Sequence, residues 1–408
     1  MKVGIGYSNT EDSTLSGKEV AKQALKNGSL EKPGLAIAFC NSAVNHNLFM
    51  NGLQEVLGDD VPIIGGSAIG IITNKDISYE GQPAGAMLIQ SETVKHRIAV
   101  SKNLDKGEKK AGNTIAETLG YNEDDTLMLL FYDSIKKPPT DTAPPFLNAS
   151  SPLITGIEEK LESEVPIIGA GLMGDFEFGR SKQFCGSYVS SQSAVGVMLS
   201  GKHELYNRIM HGCTPLDGVY HTITNIEGSV IYEIDNKPVI DIIDNIYENR
   251  NWRNQHPVNL LSIGVNCGEK YGKPRESDYI NRLITGPMPD GKGIGLFEPD
   301  LEKGTEIQFM LRDTGEMIKS VKHNSEDIIK QIVSEGSKPV FGLYINCAGR
   351  AANQSNTSSE EASEVQKVCN HHNIPLLGFY SGVEIAPMMG KSRGLDWTAV
   401  FMVVAERA

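Results

Sequence analysis

The chain has 408 residues, 39% of them hydrophobic and 22% charged, with a formal net charge of −13. That length exceeds one ordinary core and predicts two or three domains in a soluble, folded protein. The acidic balance, with lysines and arginines scattered, excludes a broad nucleic-acid or anionic-membrane surface.

In chain order, VGIGYS (3–8) reads as a strand, and SGKEVAKQALKNG after it as an amphipathic helix ending at Gly28. GLAIAFCNS (34–42) is a strand ending in small polar residues. A helix over about 44–57 follows, then VPIIGGSAIG (61–70), a strand running into a glycine-rich bend, and the strand PAGAMLIQ (83–90). The same order returns as HRIAVSKNL (96–104), a helix ending at Gly120, TLMLLFYDS (126–134), a helix over about 152–163, VPIIGAGLMG (165–174) and AVGVMLSG (194–201). It returns again as EIQFMLRD (306–313), a helix ending at Gly336, VFGLYINCAGR (340–350), a helix over about 358–372, IPLLGFYSGVEI (374–385) and TAVFMVVAE (398–406).

Residues 204–304 do not follow this order. TITNIEGSVIYEIDNKPVIDIIDNI (222–246) predicts a hairpin with a turn at Asp235-Asn236, then a helix. VNLLSIGVN, DYINRLITG and IGLFEPDLEKGTEIQFML read as antiparallel strands. The predicted fold is α/β, with repeated strand–helix units forming mixed sheets in three related copies and an inserted antiparallel module. The predicted segments are 1–218, holding two repeats, and 219–408, holding the insert 219–304 and the third repeat.

Gly169, Gly171 and Gly174 have the G-x-G-x-x-G spacing of dinucleotide-binding proteins. That site needs a helix to begin at the last glycine, so that free N–H groups meet the pyrophosphate. The next residues, DFEFGRSKQFCGSYVSS, alternate as a strand or hairpin would. The stretch therefore reads as a bend between strands. The six cysteines show no C-x-x-C or zinc spacing and read as reduced thiols. The start turns polar too soon for a signal peptide, and no apolar run has the length of a membrane span, so the expected location is cytoplasmic.

The order of motifs resembles the FIST proteins (F-box and intracellular signal transduction). On the N-terminal side the resemblance rests on AFCNS with VPIIGGSAIG, FYDS with VPIIGAGLMG, and AVGVMLSG. On the C-terminal side it rests on HGCTPLDGVYHTITNIEGSVIYEIDNKPVIDII (211–243), DYINRLITG with the strand pair after it (278–312), NCAGR (346–350) and LLGFYSGVEIAPM (376–388). The resemblance implies a non-enzymatic sensory module that binds a small molecule such as an amino acid. It implies output through a separate kinase or other signalling protein, since the FIST segments fill this chain. Some family members are similar to haem-dependent nitric-oxide sensors. In a haem version, His211 or Cys213 would be the axial ligand; otherwise no cofactor is expected.

Three strand ends carry small polar groups: Asn41 and Ser42, Asp133 and Ser134, Asn346 and Cys347. Ser42 and Ser134 are expected to cap the following helices. The third end has the most chemistry. Arg350 suits a ligand carboxylate, Cys347 is expected to have a thiol pKa lowered by that charge, and Glu384 can hold an ammonium or pair with Arg350. Tyr380 lies in the same glycine bend as Glu384. Arg282 joins the candidates, with a surface ion pair as its plainer role. An alternative enzyme reading makes Cys347 a nucleophile with His371 or His372 as base.

Overall fold

The structure, a computed structural model, describes residues 1–140, 145–161 and 164–407. The first series of elements is β1 (Lys2–Ser8), α1 (Ser13–Gly28), β2 (Leu35–Cys40), α2 (His46–Leu57), β3 (Ile63–Ser67), the hairpin β4 (Ile71–Thr73) and β5 (Ile77–Ser78), and β6 (Ala84–Gln90). The second is β7 (Val94–Lys102), α3 (Glu108–Leu119), β8 (Asp125–Asp133), a small ribbon of β9 (Ile135–Lys137) and β10 (Phe146–Leu147), α4 (Ser150–Leu161), β11 (Ile167–Leu172), the hairpin β12 (Gln183–Cys185) and β13 (Tyr188–Ser190), and β14 (Ser193–Gly201). The last two residues of the predicted 152–163 helix lie outside the described residues.

After β15 (Glu204–Met210) the chain enters β16 (Cys213–Pro215), β17 (His221–Glu227), β18 (Val230–Ile234), β19 (Lys237–Pro238), α5 (Val239–Tyr247), β20 (Leu261–Asn266), β21 (Tyr279–Pro287), β22 (Ile294–Leu296) and β23 (Glu306–Arg312). It returns through α6 (Thr314–Ser334), β24 (Ser337–Cys347), α7 (Ala352–Ser355), α8 (Ala362–His371), β25 (Leu376–Ser381), the hairpin β26 (Val383–Met388) and β27 (Lys391–Leu395), and β28 (Ala399–Arg407).

The result is a mixed α/β fold. Three six-stranded sheets have the orders β1-β6-β2-β3-β12-β13, β7-β14-β8-β11-β26-β27 and β15-β28-β24-β25-β4-β5. In each, one central pair is parallel (β2–β3, β8–β11, β24–β25) and the other pairings are antiparallel. The outer hairpin of every sheet comes from a different series. β4–β5 crosses to the third sheet, β12–β13 to the first and β26–β27 to the second, which closes a ring of exchanges.

Burial explains the apolar strands. The inner faces of the three sheets share one core, where Phe39 stacks on Phe379 at 4.0 Å and meets Phe131 edge-on at 5.1 Å. Each outer face is covered by helices: α1 and α2, α3 and α4, or α6 and α8. A strand such as LAIAFC is therefore buried at every position.

Strands β16–β23 form a fourth, antiparallel sheet. Pairing of β20 with both β21 and β23 closes it into a barrel filled by Trp252, Ile263, Ile284 and Phe309.

Several expectations need correction. EIQFMLRD is β23 of the barrel, not the first strand of a third unit; that place belongs to β15, paired with β28. Apolar alternation marks a strand but not its partner, and the barrel lies between β15 and its helix α6. The Asp235-Asn236 turn joins β18 to β19, whereas β17 and β18 turn at Gly228. The left-handed residue closing α1 is Ser29, one beyond Gly28. Gly169 and Gly171 lie within strand β11, paired to β8 and β26, rather than in a bend, and after Gly174 the next regular element is strand β12, not the helix a dinucleotide site needs.

Candidate functional site

Arg350 follows β24 and is fully buried. Its Nε and Nη2 donate to the two carboxylate oxygens of Glu361, each at 2.7 Å, and Nη1 donates to the carbonyls of His211 and Trp397 at 2.9 Å. Arg350 thus ties β24 to the turn between β15 and β16, and its partner is Glu361 rather than Glu384. Glu384 is also buried. It accepts from Ser381 Oγ at 2.9 Å and from the Thr398 N–H at 3.3 Å, and burial pushes its carboxyl well above the usual range. Cys347 lies in the same buried neighbourhood. Burial, then Glu384, push its thiol up, overriding Arg350, so the expected low pKa is reversed.

The other nominated residues are interior as well. Tyr380 donates to Glu360 at 2.6 Å, and Asn346 is buried, its Oδ1 without a hydrogen-bond partner among the described residues. Arg282 is fully buried rather than at the surface. It pairs with Asp300 and donates to the Gly394 carbonyl at 2.9 Å. Ser42 and Ser134 cap no helix. Asn45 caps α2, and the Glu298 carboxylate takes the Ser150 and Ser151 N–H groups at the start of α4, each at 3.0 Å. His371 and His372 are exposed at the end of α8 and supply no base to the buried Cys347.

A cavity of about 300 Å³ opens beside this network. Gly212–Pro215 form one wall, Pro274–Glu276 and Tyr279 another. The third is a single face of α6, where Glu316, Lys319, Ser320, His323 and Asn324 recur at helical spacing. Inside it, Glu276 Oε1 accepts from the backbone N–H groups of His211 and Gly212. Its Oε2 accepts from Ser320 Oγ at 2.6 Å and Asn324 Nδ2 at 3.3 Å. Burial opposes charge on Glu276, but the Ser320 hydroxyl and the backbone N–H groups of Gly212 and His211 hold its carboxyl below the usual range.

His211 is locked from every side. Nδ1 accepts from the Cys213 N–H at 2.9 Å, Nε2 donates to the Glu276 carbonyl at 3.0 Å, and the backbone carbonyl is held by Arg350. Cys213 Sγ contacts the His211 carbonyl at 3.7 Å and Asn281 Nδ2 at 3.6 Å. Neither residue presents a free donor atom to a haem iron, so the pair does not fit an axial-ligand site.

Comparison with protein families matches residues 34–237 to the FIST N domain and residues 241–387 to the FIST C domain. The chain belongs to the FIST family. FIST domains are small-ligand-binding sensory and signalling domains. No curated protein matches this FIST chain. Among solved structures it is similar to a cyanuric acid hydrolase from A. caulinodans (9% identity, 100% of this chain and 99% of that one, TM-score 0.36). It is also similar to a chorismatase (10% identity, 99% of each chain, TM-score 0.34). Within the FIST chain the cavity lies on the seam of the two domains: Gly212–Pro215 belong to FIST N, and the loop and α6 walls to FIST C. No helix among the described residues is long and apolar enough to cross a membrane.

Sequence reading reached the network through Arg350, His211 and Cys213 but missed Glu276, Ser320, Asn324 and Glu361. The spacing of Ser320 and Asn324 on the polar side of α6 was a usable signal. Glu276 sits in an aperiodic turn and gave none.

Proposed function

We propose that this FIST protein is a small-molecule sensor whose ligand, amino-acid-like in chemistry, enters the seam cavity beside Glu276. One observation carries the proposal: the cavity contains a carboxylate-binding cradle of two backbone N–H groups, a hydroxyl and an amide, which in this structure holds the carboxylate of Glu276. At the rim Lys319 pairs with Glu316 at 2.7 Å and Arg275 with Asp278 at 2.9 Å, so charged groups of both signs border the cradle. Cavities at domain seams with a few convergent polar groups are the usual form of small-molecule sites.

In this reading the three six-stranded sheets are related copies that form a scaffold. The segments 1–218 and 219–408 meet at the sensing site. The protein works in the cytoplasm and passes its state to a separately encoded kinase or other signalling protein.

The test is a thermal melt of the full chain against the twenty amino acids and small organic acids. A specific ligand should raise the melting temperature by linkage. Thr214→Trp, which fills the cavity, should remove that response while melting normally without ligand. A panel with no response, or an unchanged response in Thr214→Trp, overturns the proposal.

A further inference from the structure

Glu276 occupies the best anion-binding position in the cavity, and it does so from outside. The cradle itself is core structure. The N–H groups of His211 and Gly212 converge because Gly212 is left-handed (φ 66), and a Cβ there would run into Met317. Successive N–H groups in such a turn make an anion-binding nest. The nest is held from behind by the buried Arg350–Glu361 pair and by His211 Nδ1, which accepts from the Cys213 N–H, while Nε2 ties the ring to the Glu276 backbone carbonyl. Glu276, in contrast, belongs to the connection between β20 and β21. There Tyr271 is 85% exposed, and Arg275 is largely exposed and, among the described residues, is paired within its own turn to Asp278.

We infer that Glu276 is a tethered stand-in for the ligand's carboxylate, and that a small-molecule carboxylate activates the protein by replacing it on the His211–Gly212 cradle. The exchange is balanced: one carboxylate leaves four donors and another takes them, so no buried charge is left unpaired. Once Glu276 is displaced, the 267–278 connection loses its anchor on Ser320 and Asn324 of α6. The signal is the release of that connection. Because Glu276 is tethered at high effective concentration, it competes with every free carboxylate and sets the threshold of response.

The inference rests on the seam cavity being the ligand site, and its test separates the two. Glu276→Ala removes the tethered competitor, and acetate serves as the probe. Acetate should raise the melting temperature of Glu276→Ala saturably, beyond chloride at equal ionic strength, and do little to the wild-type protein. If Glu276→Ala does not fold, Glu276→Gln, which keeps the side-chain shape, takes the same test. Any amino acid found to bind the wild type should bind Glu276→Gln about tenfold tighter or more, as expected when a blocked fraction is freed. On ligand binding, hydrogen exchange should rise in 267–278. Acetate acting no better than chloride, or equal or weaker amino-acid binding by Glu276→Gln, overturns the inference. A panel without hits leaves the acetate result to decide it while overturning only the ligand proposal.

Discussion

Arg350 illustrates how a side chain suited to a ligand can instead be used inside the protein. Four of its five N–H groups are taken by Glu361, His211 and Trp397, so its role is to position the turn that forms the cradle. Arg350→Ala should cost about 3–5 kcal/mol in a urea titration, because Glu361 is left buried and uncompensated. Adding Glu361→Leu to Arg350→Met should recover much of that loss. A cost under about 1 kcal/mol would contradict the buried pair. Asp396 makes the opposite case. Burial raises its carboxyl to about 7, Arg282 opposes the rise, and Glu298 and Asp300 add to it. The folded protein then holds a proton that the unfolded chain releases near pH 4. That stability is complete below about pH 4 and is lost as the pH rises through about 7. Asp396→Asn keeps an acceptor for the Leu283 N–H and removes the titration. It should melt above the wild type at pH 8, with the gap closing towards pH 4. A gap constant with pH would rule this out.

Between elements, close approach explains the repeated glycine of VPIIG. A Cβ at Gly65 or Gly169 would run into the carbonyl oxygen of Ala38 or Leu130 on the neighbouring parallel strand, and one at Gly378 would crowd that of Tyr344. Gly169→Ala should therefore destabilise the protein by about 2 kcal/mol or more. In a calorimetric comparison of the two variants, Gly34→Ala, where the nearest atom to an added Cβ is 3.7 Å away, should cost little. The helix pairs use the same device. Gly17 and Gly52 sit at the α1–α2 crossing and Gly112 and Gly156 at the α3–α4 crossing, where backbone meets backbone. The third pair, α6 and α8, brings no such glycine pair, and α6 is instead the helix that lines the cavity.

Across the whole molecule, the exchanged hairpins make the sheets interdependent. The second sheet needs β26–β27 from the end of the chain, and the third needs β4–β5 from its beginning. Residues 1–218 alone would lack two strands of the second sheet and expose Phe39 and Phe131, which pack on Phe379 in the full chain. That fragment should bind a hydrophobic dye and show no cooperative melt, while the full chain melts with its three six-stranded sheets in one transition. A cooperatively folding 1–218 fragment would show that the exchange is dispensable.

What the sequence determined by itself was local. The 3.6-residue and alternating periodicities placed most helices and strands, and the motif order identified the family, because backbone geometry and one-sided burial are written at short range. Arg350, Cys347 and Glu384 were legible as chemistry, and they do gather in one buried neighbourhood. Tertiary structure decided the partners. β15 rather than β23 completes the third sheet, Glu361 rather than Glu384 neutralises Arg350, and Glu276 reaches a cradle 64 residues earlier in the chain. Such contacts depend on which surfaces remain to be buried once the sheets have closed, and no local pattern encodes that.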